Sequence, residues 1–407
     1  MRHLLLLTTL AAALSGQTSI PSLDGIWSAT VTVNNREIPF RIGFSTEGGV
    51  HGWFFNGDEK VASTSGAFEN GALVLRFDHY ATRLEAQLAR GELTGTYGRE
   101  GRAYPFHAVA YQASVASTEE APDIAGLWDV EVASSKGEKA WRLIVHQKGG
   151  EVSAAILRVD GDTGLLTGGY RAGGFTLSHF SGARPSLMTL TPQPDGSLEV
   201  VQNGKKLTAV RSAEARAKGL PAPDNPMQHT TMKDPGEPLR FAFPDLEGRI
   251  VSNTDARFQG KVLLVAIGGS WCPNCHDEAP YLEELYRKYR GAGLEVVGLS
   301  FEEGDQLKDP TRLRAFIEQY GIEYPVLLPD EPSELDAKIP QAVNLNAWPT
   351  TFFIGRDGRV RSIHTGFAGK ASGELHDQMT REIEGTLRQL LAEEATALLA
   401  NGEPRQE

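Results

Sequence analysis

The chain has 407 residues, 40% of them hydrophobic, so two or three domains with ordinary packed cores are expected. Asp and Glu number 52 against 40 Lys and Arg, a formal net charge of -12. That balance opposes nonspecific nucleic-acid binding, which needs a basic footprint, and otherwise says mainly that the chain is soluble.

The N-terminus reads as a targeting segment. Arg2 and His3 precede the apolar run Leu4–Leu14, with the small residues Ala13 and Ser15 at the cleavage positions. The run is too short to span a bilayer, which takes ~20 residues. Residues 1–17 are therefore expected to be a cleaved signal peptide, placing the mature chain in the periplasm or outside the cell. No later stretch approaches spanning length, so no membrane span is expected after cleavage.

Residues 18–113 and 121–212 read as two all-β units. Short alternating runs are broken by turn signals, as in Ser28–Val33 before Asn34-Asn35, or Leu73–Phe77 after Glu69-Asn70-Gly71. Leu23-Asp24-Gly25-Ile26-Trp27 recurs as Ile124-Ala125-Gly126-Leu127-Trp128, and Gly71-Ala72-Leu73-Val74-Leu75 as Gly173-Gly174-Phe175-Thr176-Leu177. A spacing of about 100 residues implies two copies of one β domain, each an antiparallel meander closed into a barrel or sandwich. The Gly-x-Trp on each first strand resembles the opening of lipocalin-like barrels, and core packing is the expected role of Trp27 and Trp128. Residues 213–238, with Pro221, Pro223, Pro226, Pro235 and Pro238, read as a linker.

From 239 to 407 the pattern changes to α/β. Lys261–Ile267 and Leu294–Leu299 suit strands buried on both faces. Helices are expected over Pro273–Arg290, Pro310–Tyr320 and 373–399. Further strands fall at Pro325–Leu328, Thr350–Ile354 and Arg359–His364. Helices should cover both faces of this sheet.

The chain has two cysteines, Cys272 and Cys275, three positions apart. Pro273 suits the first helical position, so Cys272 should head a helix. There, backbone N–H groups and the helix dipole favour thiolate, the attacking species in disulfide exchange. Cys275 lies one turn on and can close onto Cys272. A zinc site needs about four ligands, and no second Cys pair exists. A purely structural disulfide across four residues would restrain little. Cys272 is thus assigned as nucleophile and Cys275 as resolving thiol of a redox-active pair, with no cofactor and no metal.

Over residues 236 to 396 the chain resembles the TlpA/ResA-like branch of the thioredoxin superfamily. The carrying segments include Phe241–Gly248, Gly260–Val265, Ser270-Trp271-Cys272-Pro273-Asn274-Cys275-His276-Asp277-Glu278-Ala279-Pro280, Leu294–Ser300 and Trp348-Pro349-Thr350-Thr351-Phe352-Phe353-Ile354. The resemblance implies a thioredoxin-like fold and thiol–disulfide exchange with partner proteins, usually as a reductase fed by an upstream electron-donor protein. It implies that Pro349 is a cis-proline opposite the pair, and that Trp271, Pro273 and Trp348 meet the partner. Glu278 matches the family's acidic residue. Buried, it would handle a proton; exposed, it would only favour the helix dipole.

Departures from the pattern are Ala266, where thioredoxins often carry Asp, and Gly268-Gly269 in place of aromatics. His276, with polar neighbours, is expected on the solvated face of its helix, and Glu302-Glu303 in solvent. His229, between Met227 and Met232, is at most a weak soft-metal ligand. Two other functions compete. A redoxin-type peroxidase would need Thr three residues before Cys272, where Gly269 stands. A binding protein would use the β repeats to hold a ligand or partner.

Overall fold

Alternating side chains build the first sheet. The computed structural model describes residues 22–99, 101–112 and 120–400, and the signal peptide expected at 1–17 lies outside them. In Thr82–Ala89, Leu84, Ala86 and Leu88 point inward while the residues between them are exposed, the period of a strand with one buried face. Nine antiparallel strands, from Gly25–Val33 to Arg102–Ala110, form this sheet. Asn34 and Asn35 both take positive φ, 50° and 60°, which makes the tight first hairpin. The first strand pairs with both Arg36–Ser45 and Arg102–Ala110, so the meander curls into a half-barrel.

The second sheet also has nine strands, from Gly126–Glu131 to Lys205–Arg211. It closes on itself, because Ala140–Lys148 pairs with Glu151–Arg158 as well as with Gly126–Glu131. Trp27 and Trp128 take equivalent places. Each buried indole N–H donates to a carbonyl four residues back, Leu23 at 2.9 Å and Ile124 at 3.0 Å. Apolar side chains pack inside both sheets. Phe180, which follows a strand of the closed barrel, reaches into the half-barrel. Its ring lies 4.8 Å from Phe40 and 5.3 Å from Phe54. One aromatic core thus joins the two β units.

The segment 213–238, expected as a linker, is tied down along its second half. Thr231–Met232 pairs with Ala342–Val343, and Thr365 N donates to Pro226 O at 3.0 Å. His229 is buried against Asp224, Asn344 and Asn346, so its ring serves packing of this segment, not a metal.

The remaining chain forms a five-stranded sheet. In spatial order its strands are Val326–Leu327, Leu294–Ser300, Val262–Gly268, Thr350–Ile354 and Val360–Thr365. The first three are parallel, Thr350–Ile354 is antiparallel to them, and Val360–Thr365, antiparallel to its neighbour, runs parallel to the first three again. Val262–Ile267 is buried throughout, because helices and loops cover both faces. The C-terminal helix Glu374–Ala400 contributes Met379, Ile383, Leu387 and Leu390, a helical spacing, to one of these cores. Among the described residues no helix is long and apolar enough to cross a membrane.

Candidate active site

Chain geometry puts the two sulfurs together. The central strand ends at Gly268, the chain turns through Gly269-Ser270-Trp271, and the helix Pro273–Tyr289 begins with Pro at its first position. Cys272 is its N-cap, and its Sγ accepts from the Cys275 N–H at 3.3 Å. Both thiols are free, and both are buried, 4% and 6% exposed. Cys272 thus stands at the helix start that the sequence predicts, with its sulfur buried. Burial pushes the Cys275 thiol well above its ordinary value, and the neighbouring Cys272 adds to the rise.

The Gly268-Gly269 departure has a steric cause. A Cβ at Gly268 would sit 3.1 Å from Cys275 Sγ. One at Gly269 would lie 2.3 Å from Trp271 Nε1 and 2.6 Å from the Phe301 carbonyl. Trp271 uses that space, donating from Nε1 to Phe301 O at 2.9 Å. Its ring meets Trp348 edge-on, centroids 5.4 Å apart. The Trp348–Pro349 peptide is cis, and Pro349 O accepts from Gly366 N at 2.7 Å. The two tryptophans are half-buried, as is Pro273 at the helix start, and Pro349 is buried.

Glu278 is inside, not on the exposed first turn. It is 5% exposed, accepts from Thr351 Oγ1 at 2.8 Å, and burial pushes its carboxyl up to about 8. Cys275 and Glu278 line the same cavity of about 50 Å³, more than the ~10–15 Å³ that one water needs.

Two expectations are overturned here. His276 is 4% exposed, not solvated. Its Nε2 lies 2.8 Å from the Ser270 carbonyl, which can only accept, so Nε2 carries the proton and Nδ1 accepts from Tyr320 OH at 2.9 Å. Burial drops its pKa to about 3, so it is a neutral positioning group and no cation beside the thiols. Glu302 is not in solvent either. It is fully buried with Arg312, 2.8 Å away, and takes bonds from Ser270 N, Ser270 Oγ and Ser300 Oγ. A buried charge needs this degree of pairing. The network braces Ser270, two residues before Cys272. Glu303 does remain partly exposed.

The β units also reach the redox helix, which sequence reading missed. Arg184 donates to Asn274 Oδ1 at 2.9 Å and Asp277 Oδ2 at 2.7 Å. Asn274 Nδ2 donates to Asp160 O at 2.6 Å. From the half-barrel, Tyr80 stacks on His276, centroids 4.3 Å apart, and Arg99 makes a two-pronged bond to Glu303. No motif marks Arg184 or Tyr80: each sits in a turn, and only folding brings it to the site.

Two cysteines at the start of a helix on a mixed five-stranded sheet, with a cis peptide ahead of the strand Thr350–Ile354, are the features of a thioredoxin-like domain. Residues 235–363 match the sequence model of the AhpC/TSA family. Thiol-disulfide oxidoreductase ResA of Bacillus thuringiensis (strain Al Hakam) is 30% identical over 154 residues, covering 38% of this chain and 76% of the relative. ResA of Geobacillus thermodenitrificans is 31% identical over 136 residues, covering 33% and 71%. A solved thiol:disulfide interchange protein of the thioredoxin family from Chlorobium tepidum TLS aligns at 24% identity and TM-score 0.27, covering 36% of this chain and 97% of that one. The chain belongs to the ResA-like thiol-disulfide oxidoreductases.

Proposed function

We propose that this protein is an extracytoplasmic reductase of protein disulfides working through Cys272-Pro273-Asn274-Cys275. The observation that carries the reading is the placement of Cys272 Sγ at the helix N-terminus, accepting the Cys275 N–H. Thiolate is the attacking species in disulfide exchange. The Cys272 thiolate attacks one sulfur of the partner's disulfide. The S–S bond breaks, the departing thiolate takes up a proton, and a mixed disulfide remains. In the molecules whose Glu278 is ionised, a fraction that grows as the pH approaches 8, Cys275 then gives its proton to that carboxylate and attacks the Cys272 sulfur, releasing the second partner thiolate, which is protonated in turn. The partner gains two electrons and the enzyme keeps a Cys272–Cys275 disulfide. An upstream donor dithiol protein reverses that step.

Several features support Glu278 as the proton acceptor. It is buried, shares a cavity with Cys275, and has its pKa raised toward that of a thiol. Trp271 and Pro273 flank Cys272 in the chain, Trp348 packs on Trp271 and precedes Pro349, and the four are assigned to partner contact. We read the chain as a signal peptide (1–17), two copies of one β domain (18–113 and 121–212), a tethered connector (213–238) and the redox domain (239–407). The paired Trp27 and Trp128 geometry favours duplication.

The test is insulin reduction by wild type, Cys272→Ser and Cys275→Ser. Cys272→Ser is expected to be inactive, and Cys275→Ser to accumulate the mixed disulfide, seen as an added partner mass. Full activity of Cys272→Ser would end this reading, and peroxide consumption faster than disulfide exchange would favour a peroxidase. A pair potential near about −270 mV would support the reductive direction, and one near about −120 mV an oxidative one.

A further inference from the structure

Cys272 is 4% exposed, and three turns that belong to the β units press on the residues beside it. The hairpin tip Val159–Asp162 of the closed barrel lies between the redox motif and the loop after the last strand. Gly161 bridges to Phe367 in parallel-strand fashion, and Asn274 Nδ2 is bonded to the neighbouring Asp160 O. The fit leaves no slack. A Cβ on Gly161 would lie 2.3 Å from Phe367 O and 2.7 Å from Asn274 Nδ2, and one on Gly366 would lie 2.1 Å from Val159 O. Arg184, on a second turn of the same barrel, clamps the first turn of the redox helix through Asn274 and Asp277, and is itself held by Asp162. Tyr80 of the half-barrel comes from the other side, stacked on His276, with its hydroxyl in electrostatic reach of Arg184, Asp277 and Cys272. Beside it a cleft of about 300 Å³, lined in part by Tyr80, Arg184 and Asp277, runs along the redox helix.

The contacts that hold this cover are mostly polar and cross between units: Arg184 to Asp277, Arg99 to Glu303, Lys370 to Glu59. The Arg99–Glu303 and Lys370–Glu59 pairs are partly solvent-exposed and the Arg184–Asp277 pair is mostly buried, but all three are polar, so parting them bares charged groups that water can solvate. A cover fastened by ion pairs and one aromatic stack is suited to open and shut, unlike the shared aromatic core that joins the two β units.

We infer that the β units are a size-selective cover on the redox pair: a small disulfide reaches Cys272 with the cover in place, whereas a folded protein disulfide reaches it only when the Arg184 and Arg99 contacts part. The inference rests on Cys272 being the nucleophile, and it makes Arg184 a specificity-determining residue supplied from outside the redox domain. Without Arg184, Asp162 and Asp277 face each other with no cation between them, which drives the hairpin tip off the motif.

The test compares two alkylating probes on the full reduced chain, iodoacetamide and a maleimide carrying a polyethylene glycol chain, read at Cys272 by peptide mass. The ratio of bulky to small labelling rates cancels changes in the sulfur's own nucleophilicity. In wild type that ratio should fall well below its value in the denatured chain. In Arg184→Ala it should rise roughly ten- to hundredfold, the scale set by losing charge-assisted hydrogen bonds. Insulin reduction should rise by a larger factor than cystine reduction does. Arg99→Ala, whose pair is partly exposed, should show a smaller rise and carries the test if Arg184→Ala does not fold. A wild-type ratio equal to that of the denatured chain, or a ratio unmoved in the folded variants, overturns the inference. Cystine reduction surviving in Cys272→Ser would instead overturn the underlying assignment, whatever the probes report.

Discussion

Replacing Glu278 by Gln should stabilise the reduced protein, and the gain should grow with pH. The carboxyl is 5% exposed with one protein donor, Thr351 Oγ1, and its pKa rises from 4.5 to about 8. An unfolded chain releases that proton near pH 4.5, and the folded chain holds it until about pH 8. Between those values the unfolded state binds fewer protons, so wild-type stability falls as the pH rises. At 1.36 kcal/mol per pK unit, the penalty is near zero below pH 4.5, about 3 kcal/mol at pH 7 and about 5 kcal/mol above pH 8. Gln keeps an acceptor for Thr351 and carries no charge to desolvate, so Glu278→Gln escapes the penalty. At 2–4 °C per kcal/mol for a domain of this size, the variant's unfolding temperature should exceed wild type by roughly 10 °C near neutral pH and match it near pH 4. The assay is thermal unfolding of both reduced proteins from pH 4 to 9. Asp277, also raised by burial, to about 6, is common to both and drops out of the difference. A difference that stays flat over this range would refute the reasoning, since it would mean that Glu278 ionises as an ordinary surface carboxyl. The same variant should lose activity, because the stabilised side chain can no longer accept the Cys275 proton.

Two further outcomes follow from packing around the site. Gly268→Ala puts a methyl 3.1 Å from Cys275 Sγ and should cost about 1–3 kcal/mol by overpacking. Denaturant unfolding checks the cost, and slower release of the mixed disulfide checks the displaced sulfur. Arg312→Met strips the cation from Glu302, both being at most 2% exposed, and should destabilise by about 3–5 kcal/mol. Urea midpoints measure it, and a change under about 1 kcal/mol would refute the claim that the Arg312 pairing holds the buried Glu302 in place.

The redox half of the chain was open to reading because its signals are local. A continuous apolar run marks Val262–Gly268, and Cys-Pro marks the start of the helix Pro273–Tyr289. Asn-Asn and Asn-Gly turns marked the β hairpins in the same way, since positive φ at Asn34 and Asn35 is a property of those residues themselves. Burial of polar groups was not open to it. His276 and Glu302 carry polar side chains among polar neighbours, and pattern alone places such residues in solvent. What buries them is distant in the chain: Tyr80 and Tyr320 around one, Arg312 and Ser270 around the other.

The residues of the disulfide chemistry, Cys272 and Cys275, and the helix that activates them were thus decided by the order of amino acids, because capping and helix start depend on neighbours a few positions away. How far those sulfurs are from solvent, and which charges surround them, was decided only when the β units folded against the redox domain. Arg184 and Tyr80 approach Asn274 and His276 across gaps of roughly ninety and two hundred residues. Contacts of that range depend on how whole sheets pack, a property no short stretch of sequence carries.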